Sequence, residues 1–222
     1  MNSKIIVLIA FLISLLLNAC GSSANQHGVV PGDLQTIEAE AEDIIDLAPS
    51  GNWDQIAMDV TSSSGAWASY QPHAADDGAS QAQQDAFASA LSHLQTASES
   101  KDADETMQAA NDLSAAVVEL FALYNPIIPI DIGRLDVLER QVILDAARND
   151  FPAAMDSFAK TKEAWENVKP SIVTQNGQDV AVQFENSLTI QETTLKAEDA
   201  AALTKEARNA LEIVDAMERL YQ

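Results

Sequence analysis

Three side chains of this 222-residue chain are of the types that bind metal ions and lie close together in sequence. His73, Asp76 and Asp77 fall within the segment 72–78, which a proline opens and a glycine closes. Carboxylate oxygens suit hard divalent cations, and an imidazole adds affinity for zinc or copper. These three residues are therefore the candidate metal ligands. The alternative is a plain turn between two helices, because residues 176–177 take the equivalent place in the second half of the chain without such a cluster.

Catalytic motifs are absent from the sequence. It contains no HExxH, no CxxC, no glycine-rich phosphate loop and no nucleophile elbow. The two other histidines do not suggest catalysis. His27 precedes the helical region, and His93 lies about 120° around a helix from the apolar stripe at 87, 91 and 94, where solvent is expected. We therefore predict no catalytic residue, no cofactor and no enzymatic activity. An enzyme is the third alternative for the function, and it would require an inward cluster of ionisable groups that linear spacing hides.

The N-terminus carries the features of an export signal. Lys4 precedes an apolar run at residues 5–17, which only Ser14 interrupts. This run is too short for the alternative, a transmembrane helix, which needs about 20 apolar residues. The sequence Leu-Asn-Ala-Cys follows at 17–20. It resembles the lipobox of bacterial lipoproteins, which consists of an apolar residue, a variable residue, a small residue and a cysteine.

The resemblance to bacterial lipoproteins implies cleavage before Cys20 and attachment of lipid, palmitate included, to this residue. Residues 1–19 are then a signal peptide and residues 20–28 a tether. Gly21 follows the cysteine where an inner-membrane retention signal would have an aspartate, which implies an outer membrane, facing the periplasm, in a cell that has one. Cys20 is the only cysteine, so the chain has no intramolecular disulfide and no cysteine metal cluster.

The chain is strongly acidic, with 34 acidic and 12 basic residues and a net charge of −22. Residues 20–125 hold 17 acidic residues and a single basic one, Lys101, whereas residues 126–222 hold 17 and 10. Such a surface repels nucleic acid and anionic lipid headgroups, so the lipid on Cys20 is the expected membrane attachment. A solvated helix face is our interpretation of the acidic run Glu38, Glu40, Glu42, Asp43 and Asp46.

The two halves of the chain match each other in register. Residues 29–34, Val-Val-Pro-Gly-Asp-Leu, align with residues 127–132, Ile-Ile-Pro-Ile-Asp-Ile, at a shift of 98 positions. Further pairs at shifts of 98 or 97 are Trp67 with Trp165, Phe87 with Phe184, and Tyr124 with Tyr221. We interpret the matches as an internal duplication, with one helical repeat at 29–125 and a second at 126–222. The repeated aromatic residues are expected to pack in the core and not to line a ligand groove.

Apolar spacing in both repeats is helical. Positions 110, 113, 117, 120 and 124 follow steps of three and four, as do positions 207, 210, 214, 217 and 221. Another pair of stripes expected to face the core is Trp53, Ala57, Val60, Ser64 and Trp67, matched by Phe151, Met155, Phe158, Lys162 and Trp165. Asp102, followed three residues later by Glu105, fits the N-cap of a helix. Helix breaks are predicted at 49–52, 72–80, 99–104, 125–129, 148–152, 170–177 and 197–199.

These patterns predict an all-α protein of eight helices in four antiparallel hairpins. In two tandem four-helix bundles, each repeat would close on its own core. A short solenoid similar to tetratricopeptide arrays is the alternative, and its hairpins would stack around a concave groove. The long repeat and the lack of a full tetratricopeptide signature favour the bundles.

The function expected from these observations is that of a lipid-anchored, non-enzymatic helical module that binds or scaffolds a protein partner at the cell envelope. This expectation follows from the duplication, the lipid tether and the lack of catalytic groups. The alternative is an accessory protein that binds divalent cations for a transporter through its acidic N-terminal repeat. Fold alone does not separate the two.

Overall fold

The computed structural model describes residues 28–222. The predicted signal peptide, Cys20, His27 and the rest of the tether up to residue 27 lie outside the described residues. Every regular element of the described part is helical, as predicted, and none of its helices is long and apolar enough to cross a bilayer. The eight α-helices are α1 (Gly32–Leu47), α2 (Trp53–Ala74), α3 (Gln81–Ser100), α4 (Ala103–Phe121), α5 (Ile130–Ala147), α6 (Phe151–Thr174), α7 (Gln178–Lys196) and α8 (Ala200–Glu218).

Polar caps define the starts of four helices. At the start of α3, Ser80 Oγ accepts a hydrogen bond from Gln83 N at 3.2 Å, and Gln83 Oε1 accepts one from Ser80 N at 3.0 Å. The predicted cap at Asp102 is confirmed, because its Oδ1 accepts from Glu105 N at 3.1 Å. Aspartates cap α6 and α8 in the same way. Each cap satisfies a backbone N–H that the first turn of a helix leaves without a partner.

The apolar side chains are buried in two separate cores, one among α1–α4 and the other among α5–α8. Trp67 stacks on Phe87 in the first core, with ring centroids 4.0 Å apart. Trp165 packs on Phe184 in the second core at 4.9 Å. The aromatic pairs matched in the sequence therefore take corresponding places in the two cores. Burial of large side chains of this kind stabilises the fold by about 1.5–3 kcal/mol each.

Each set of four helices closes into a ring. α1 and α3 both pack on α2 and α4, and α5 and α7 both pack on α6 and α8. A solenoid would leave the first and fourth helices of each set apart. The observed contacts therefore match the tandem bundles and not the stacked hairpins. That the bundles arose by duplication stays an interpretation of the matched residues.

Two of the predicted helix breaks, 72–80 and 170–177, contain the observed turns, but the turns begin later than predicted. α2 continues through Pro72 to Ala74, and α6 likewise continues past Pro170. A proline removes one backbone hydrogen bond. Ala74 and Ile172 are nevertheless fully buried beyond the two prolines, and their burial favours the extra helical turn. His73 consequently lies in the last turn of α2 and not in a loop.

The core-facing stripes of α2 and α6 are shifted from the prediction. Ala57, Met155 and Lys162 were expected to face the core but are exposed. The buried stripe runs instead through Ile56, Val60, Ser63 and Trp67 in α2 and through Ala154, Phe158, Thr161 and Trp165 in α6. The predicted and the observed stripes share Val60 and Trp67 in α2 and Phe158 and Trp165 in α6. Steps of three and four residues fit either stripe. Spacing alone therefore could not choose between them.

The two bundles meet along α4 and α5. Gly133 lies at this contact, where a β-carbon added to it would meet Val118 Cγ2 at 3.4 Å, an ordinary van der Waals distance. Asn111 of α4 donates to Val137 O at 3.2 Å and to Gln141 Oε1 at 3.0 Å, both on α5. In the matched repeats α8 corresponds to α4 and α1 to α5, yet α8 and α1 make no comparable contact among the described residues. A cleft separates them.

Candidate functional site

The candidate metal ligands lie at the α2–α3 turn. Among residues 28–222, no group of three or more histidine, cysteine, aspartate or glutamate side chains is close enough to hold a metal ion. His73 and Asp76 are exposed. Asp77 Oδ2 accepts a hydrogen bond from the Tyr124 hydroxyl at 2.6 Å, and that hydroxyl lies 3.0 Å from the Tyr70 hydroxyl. Asp77 thus ties the turn to the end of α4, and a metal role for the three residues stays a prediction.

The cleft between the bundles is the best candidate for a functional site. It has a volume of about 520 Å³. Helices α1, α4, α5 and α8 line it, together with the start of the described chain and the linker between the bundles. Its lining side chains are either apolar or acidic apart from one glutamine, Gln35. A concave site of this size with mixed apolar and polar walls is typical of small-molecule binding.

The acidic part of the cleft comes from neighbouring positions on three helices. Glu38 and Glu42 are four residues apart and therefore share one face of α1, beside the stripe that fills the first core. Asp136 lies on α5, and Asp215 and Glu218 lie in the last turns of α8. Five carboxyl groups from both bundles thus face one space.

The rest of the lining is apolar. Val118 and Phe121 of α4 contribute to it, as do Ile127 and Ile128 of the linker. Ile127 is 62% exposed and Val29, at the same rim, is 87% exposed. The cleft is therefore amphipathic, with apolar surface that reaches solvent at its mouth.

Four pairs of positions in or beside the cleft correspond between the two halves of the chain. The pairs are Glu38 with Asp136 and Glu42 with Arg140 at a shift of 98, and Val118 with Asp215 and Phe121 with Glu218 at a shift of 97. Val118 and Phe121 of α4 are apolar, whereas the corresponding residues of α8 are acidic. α4 closes on α5 through Val118 and Gly133, whereas the corresponding residues of α8 and α1 are Asp215 and Gln35. Burying an unpaired carboxylate costs free energy, which disfavours a close contact between α1 and α8.

Arg140 bridges the two bundles beneath the acidic wall. Its guanidinium forms ion pairs with Glu42 of α1 and, at 2.6 Å, with Asp136 of α5. Its side chain is only 15% exposed. Ser114 Oγ on α4 donates to Glu38 Oε1 at 3.0 Å. The other three lining carboxyls, including that of Glu38, have no basic side chain of residues 28–222 within ion-pair distance.

Burial and mutual repulsion favour the neutral forms of these carboxyls. Burial, followed by repulsion from Glu42, raises the pKa of Glu38 to about 7. Burial also raises the pKa of Asp136, although the Arg140 charge opposes this. Burial and then Glu42 raise the pKa of Glu218. At neutral pH the cleft therefore retains protons that ordinary carboxylates would have lost.

A second groove runs along α4, α5 and α6. It consists of two adjoining pockets of about 360 and 450 Å³. Arg134 within it forms ion pairs with Glu119 at 2.8 Å and Asp131 at 2.9 Å. The groove lining carries both charges, because it holds Arg134 and Lys160 as well as carboxylates, whereas the cleft lining holds five carboxyls and no basic side chain. The cleft is therefore the stronger candidate.

Comparisons of this chain with protein-family models, with curated proteins and with solved structures found no match.

The interpretation of the acidic run on α1 as a solvated face is only partly correct. Asp43 and Asp46 are exposed, but Glu38 and Glu42 are partly buried in the cleft. Glu42 and Arg140 occupy equivalent positions of the two halves and form an ion pair between the bundles. Equivalence in sequence does not by itself predict this contact.

Proposed function

We propose that this chain is a lipid-anchored, non-enzymatic binding module of the cell envelope, and that the cleft between its bundles is the ligand site. The main support for this proposal is the cleft itself. It has a volume of about 520 Å³, apolar walls and three carboxyls that form no ion pair among the described residues. Two closed helical cores support its walls, and rigid elements of this kind preorganise a binding site.

The lining of the cleft supports binding and not covalent catalysis. It includes no serine, cysteine, histidine, lysine or tyrosine side chain, so among the described residues it offers none of the usual covalent nucleophiles apart from carboxylates. Burial and repulsion among the acidic side chains of the cleft account for the raised pKa values of its carboxyls. Such a cluster attracts a ligand of opposite charge.

The lipid anchor would place the cleft close to a membrane. Gly28 lines the cleft, and its N–H donates to Tyr124 O at 2.8 Å. A chain of the length of residues 20–27 reaches at most about 27 Å. With lipid on Cys20, the mouth of the cleft would therefore lie near the bilayer surface, where amphipathic molecules concentrate.

Intact-mass spectrometry of the protein extracted from bacterial membranes tests the anchor. We expect a chain that begins at Cys20 and carries the added mass of a lipid. Cys20→Ser should be recovered without that mass, because it lacks the thiol that accepts the lipid. A wild-type chain that retains residues 1–19 with an unmodified thiol would contradict the proposal.

Binding of the neutral dye Nile red to the purified mature chain tests the site. We expect fluorescence that saturates at one dye per chain. Gly133→Leu should lower the affinity by about tenfold, because Gly133 lines the cleft and a larger side chain would fill it. Gly65→Leu is the matched control, since Gly65 is exposed on α2 with nothing within 4 Å of an added β-carbon. Equal affinity of the two variants, or no saturable binding, would exclude the cleft as the site.

The alternative of a divalent-cation carrier has less support. Calcium takes six to eight oxygen ligands, and no three acidic or histidine side chains of residues 28–222 are close enough to begin such a set. Arg140 moreover already neutralises two of the cleft carboxylates. The apolar walls would also have no role in binding a hydrated metal ion.

A further inference from the structure

We infer that the ligand of the cleft is a small organic cation, with an ammonium group that meets the carboxyls and an apolar body that lies on the apolar walls. The inference rests on the proposed function, since it names the ligand class of the same cleft. It follows from the charge, the apolar lining and the size of the cleft taken together.

The charge of the cleft selects a cation. Five carboxyl groups line it, and Arg140 is the one basic residue of 28–222 that forms ion pairs with them, namely with Glu42 and Asp136. Glu38, Asp215 and Glu218 form no ion pair within residues 28–222, although Arg140 acts on Glu38 and both Arg140 and Arg219 act on Glu218 from a longer distance. An ammonium group could donate hydrogen bonds to these oxygens, and charge-assisted hydrogen bonds are strong where water is partly excluded. An anionic ligand would be repelled.

The apolar lining and the size select a small molecule with an apolar body. Val118, Phe121 and Ile128 would cover an alkyl or ring portion of the ligand. Each methylene group removed from water adds to the affinity. A volume of about 520 Å³ lies within the range of small-molecule sites. A bare metal ion would use the carboxyls and leave this lining without a role.

Proton binding competes with binding of the cation. Burial raises the pKa of Glu38 to about 7, so this carboxyl is mostly neutral at pH 5.5 and mostly ionised at pH 8.5. The groups that face it are Glu42 on α1, Ser114 on α4, Asp136 and Arg140 on α5, and Glu218 on α8. An ammonium ligand should therefore bind about tenfold more weakly at pH 5.5 than at pH 8.5.

Isothermal titration calorimetry of the mature chain with octylammonium, 1-octanol and octanoate tests the inference, because the three probes share one tail and differ in head-group charge. We expect octylammonium to bind at one per chain and at least tenfold more tightly than 1-octanol, and octanoate not to bind. Glu38→Gln should weaken octylammonium binding by about tenfold, because the amide keeps the hydrogen bond to Ser114 but loses the charge. Asp46→Asn is the control, since it removes one exposed carboxylate from the same helix outside the cleft; its affinity should be unchanged.

The outcomes separate this inference from the proposed function. If 1-octanol binds as tightly as octylammonium and both lose affinity in Gly133→Leu, the cleft is a ligand site but its ligand is not a cation. If none of the three probes binds, both the inference and the proposed site fail. Equal losses in Glu38→Gln and Asp46→Asn would show attraction by overall charge and overturn the inference. Stoichiometric calcium binding that Glu38→Gln abolishes would overturn it in favour of the divalent-cation alternative.

Discussion

Glu139→Gln is expected to raise the free energy of unfolding strongly at pH 9 and to leave it nearly unchanged at pH 5. Glu139 lies on α5 in the second core with 0% exposure. Its Oε1 accepts a hydrogen bond from Gln191 Nε2 on α7 at 3.0 Å, and its Oε2 is buried without a hydrogen-bond partner in the described part of the chain. Burial, opposed by this hydrogen bond and reinforced by repulsion from Glu206 and Asp136, raises the pKa of Glu139 to about 8.

The sign of the pH dependence follows from that value. Because the pKa in the folded state lies above the ordinary value of 4.5, the folded chain holds this proton more tightly than the unfolded chain. The stability that the neutral carboxyl contributes is complete below pH 4.5 and is lost as the pH rises through 8. A gap of between three and four pKa units corresponds to on the order of 5 kcal/mol once the carboxyl is ionised. Glutamine does not ionise and avoids this cost.

Urea unfolding at pH 5, 7 and 9 measures the effect. The wild type should lose stability as the pH rises, and Glu139→Gln should lose much less. The remaining loss comes from Glu38, Asp136 and Glu218, whose pKa values are raised as well. Glu212→Gln is the control, because Glu212 is exposed on α8. Parallel pH profiles of Glu139→Gln and the wild type would show that Glu139 is not the buried acid described here.

Arg140→Met is expected to lower the free energy of unfolding by about 3 kcal/mol at pH 8, because it leaves partly buried carboxylates without their cation. The guanidinium joins Glu42 of the first bundle to Asp136 of the second, and its side chain is 15% exposed. Adding Asp136→Asn should recover part of the loss, since the amide removes one of the uncompensated charges. The loss should also shrink at pH 5.5, where the carboxyls can take up protons.

Arg134→Met is the matched control for Arg140→Met. Arg134 lies on the same helix and also pairs with one carboxylate of the first bundle, Glu119, and one of its own helix, Asp131. Its side chain is 35% exposed, so solvent screens both pairs and the expected loss is within about 1 kcal/mol. Similar losses for the two variants, measured by urea unfolding at pH 8, would contradict the burial argument.

The matched residues of the two repeats predict much of the fold. The pairs Trp67 with Phe87 and Trp165 with Phe184 lie in the two cores, and aspartate caps begin α4, α6 and α8. The caps depend on local sequence, and the aromatic pairs depend on burial of large apolar groups. Caps and apolar stripes each leave a clear sequence pattern. The continuation of α2 and α6 past their prolines depends on burial against other helices, so local propensity could not predict it.

The cleft and the buried acid depend on long-range packing and were not predicted. Glu139 falls on the same helix face as Leu135 and Val142, but a charged side chain is normally assigned to solvent. Glu38 and Glu42 likewise look like part of a solvated face until the second bundle is placed beside α1. Which acidic side chains become buried is decided by how the bundles pack, and periodicity within one helix does not record that.

The location of a bound organic cation is the most direct test of the claim that the cleft between the bundles is a ligand site. Crystals grown with 8-bromooctylammonium would locate it, because bromine gives an anomalous signal. We expect a single bromine peak beside Val118 and Phe121, with the ammonium nitrogen within hydrogen-bond distance of Glu38 or Glu218. Bromine in the groove along α4, α5 and α6, or scattered over the surface with the cleft unoccupied, would contradict it.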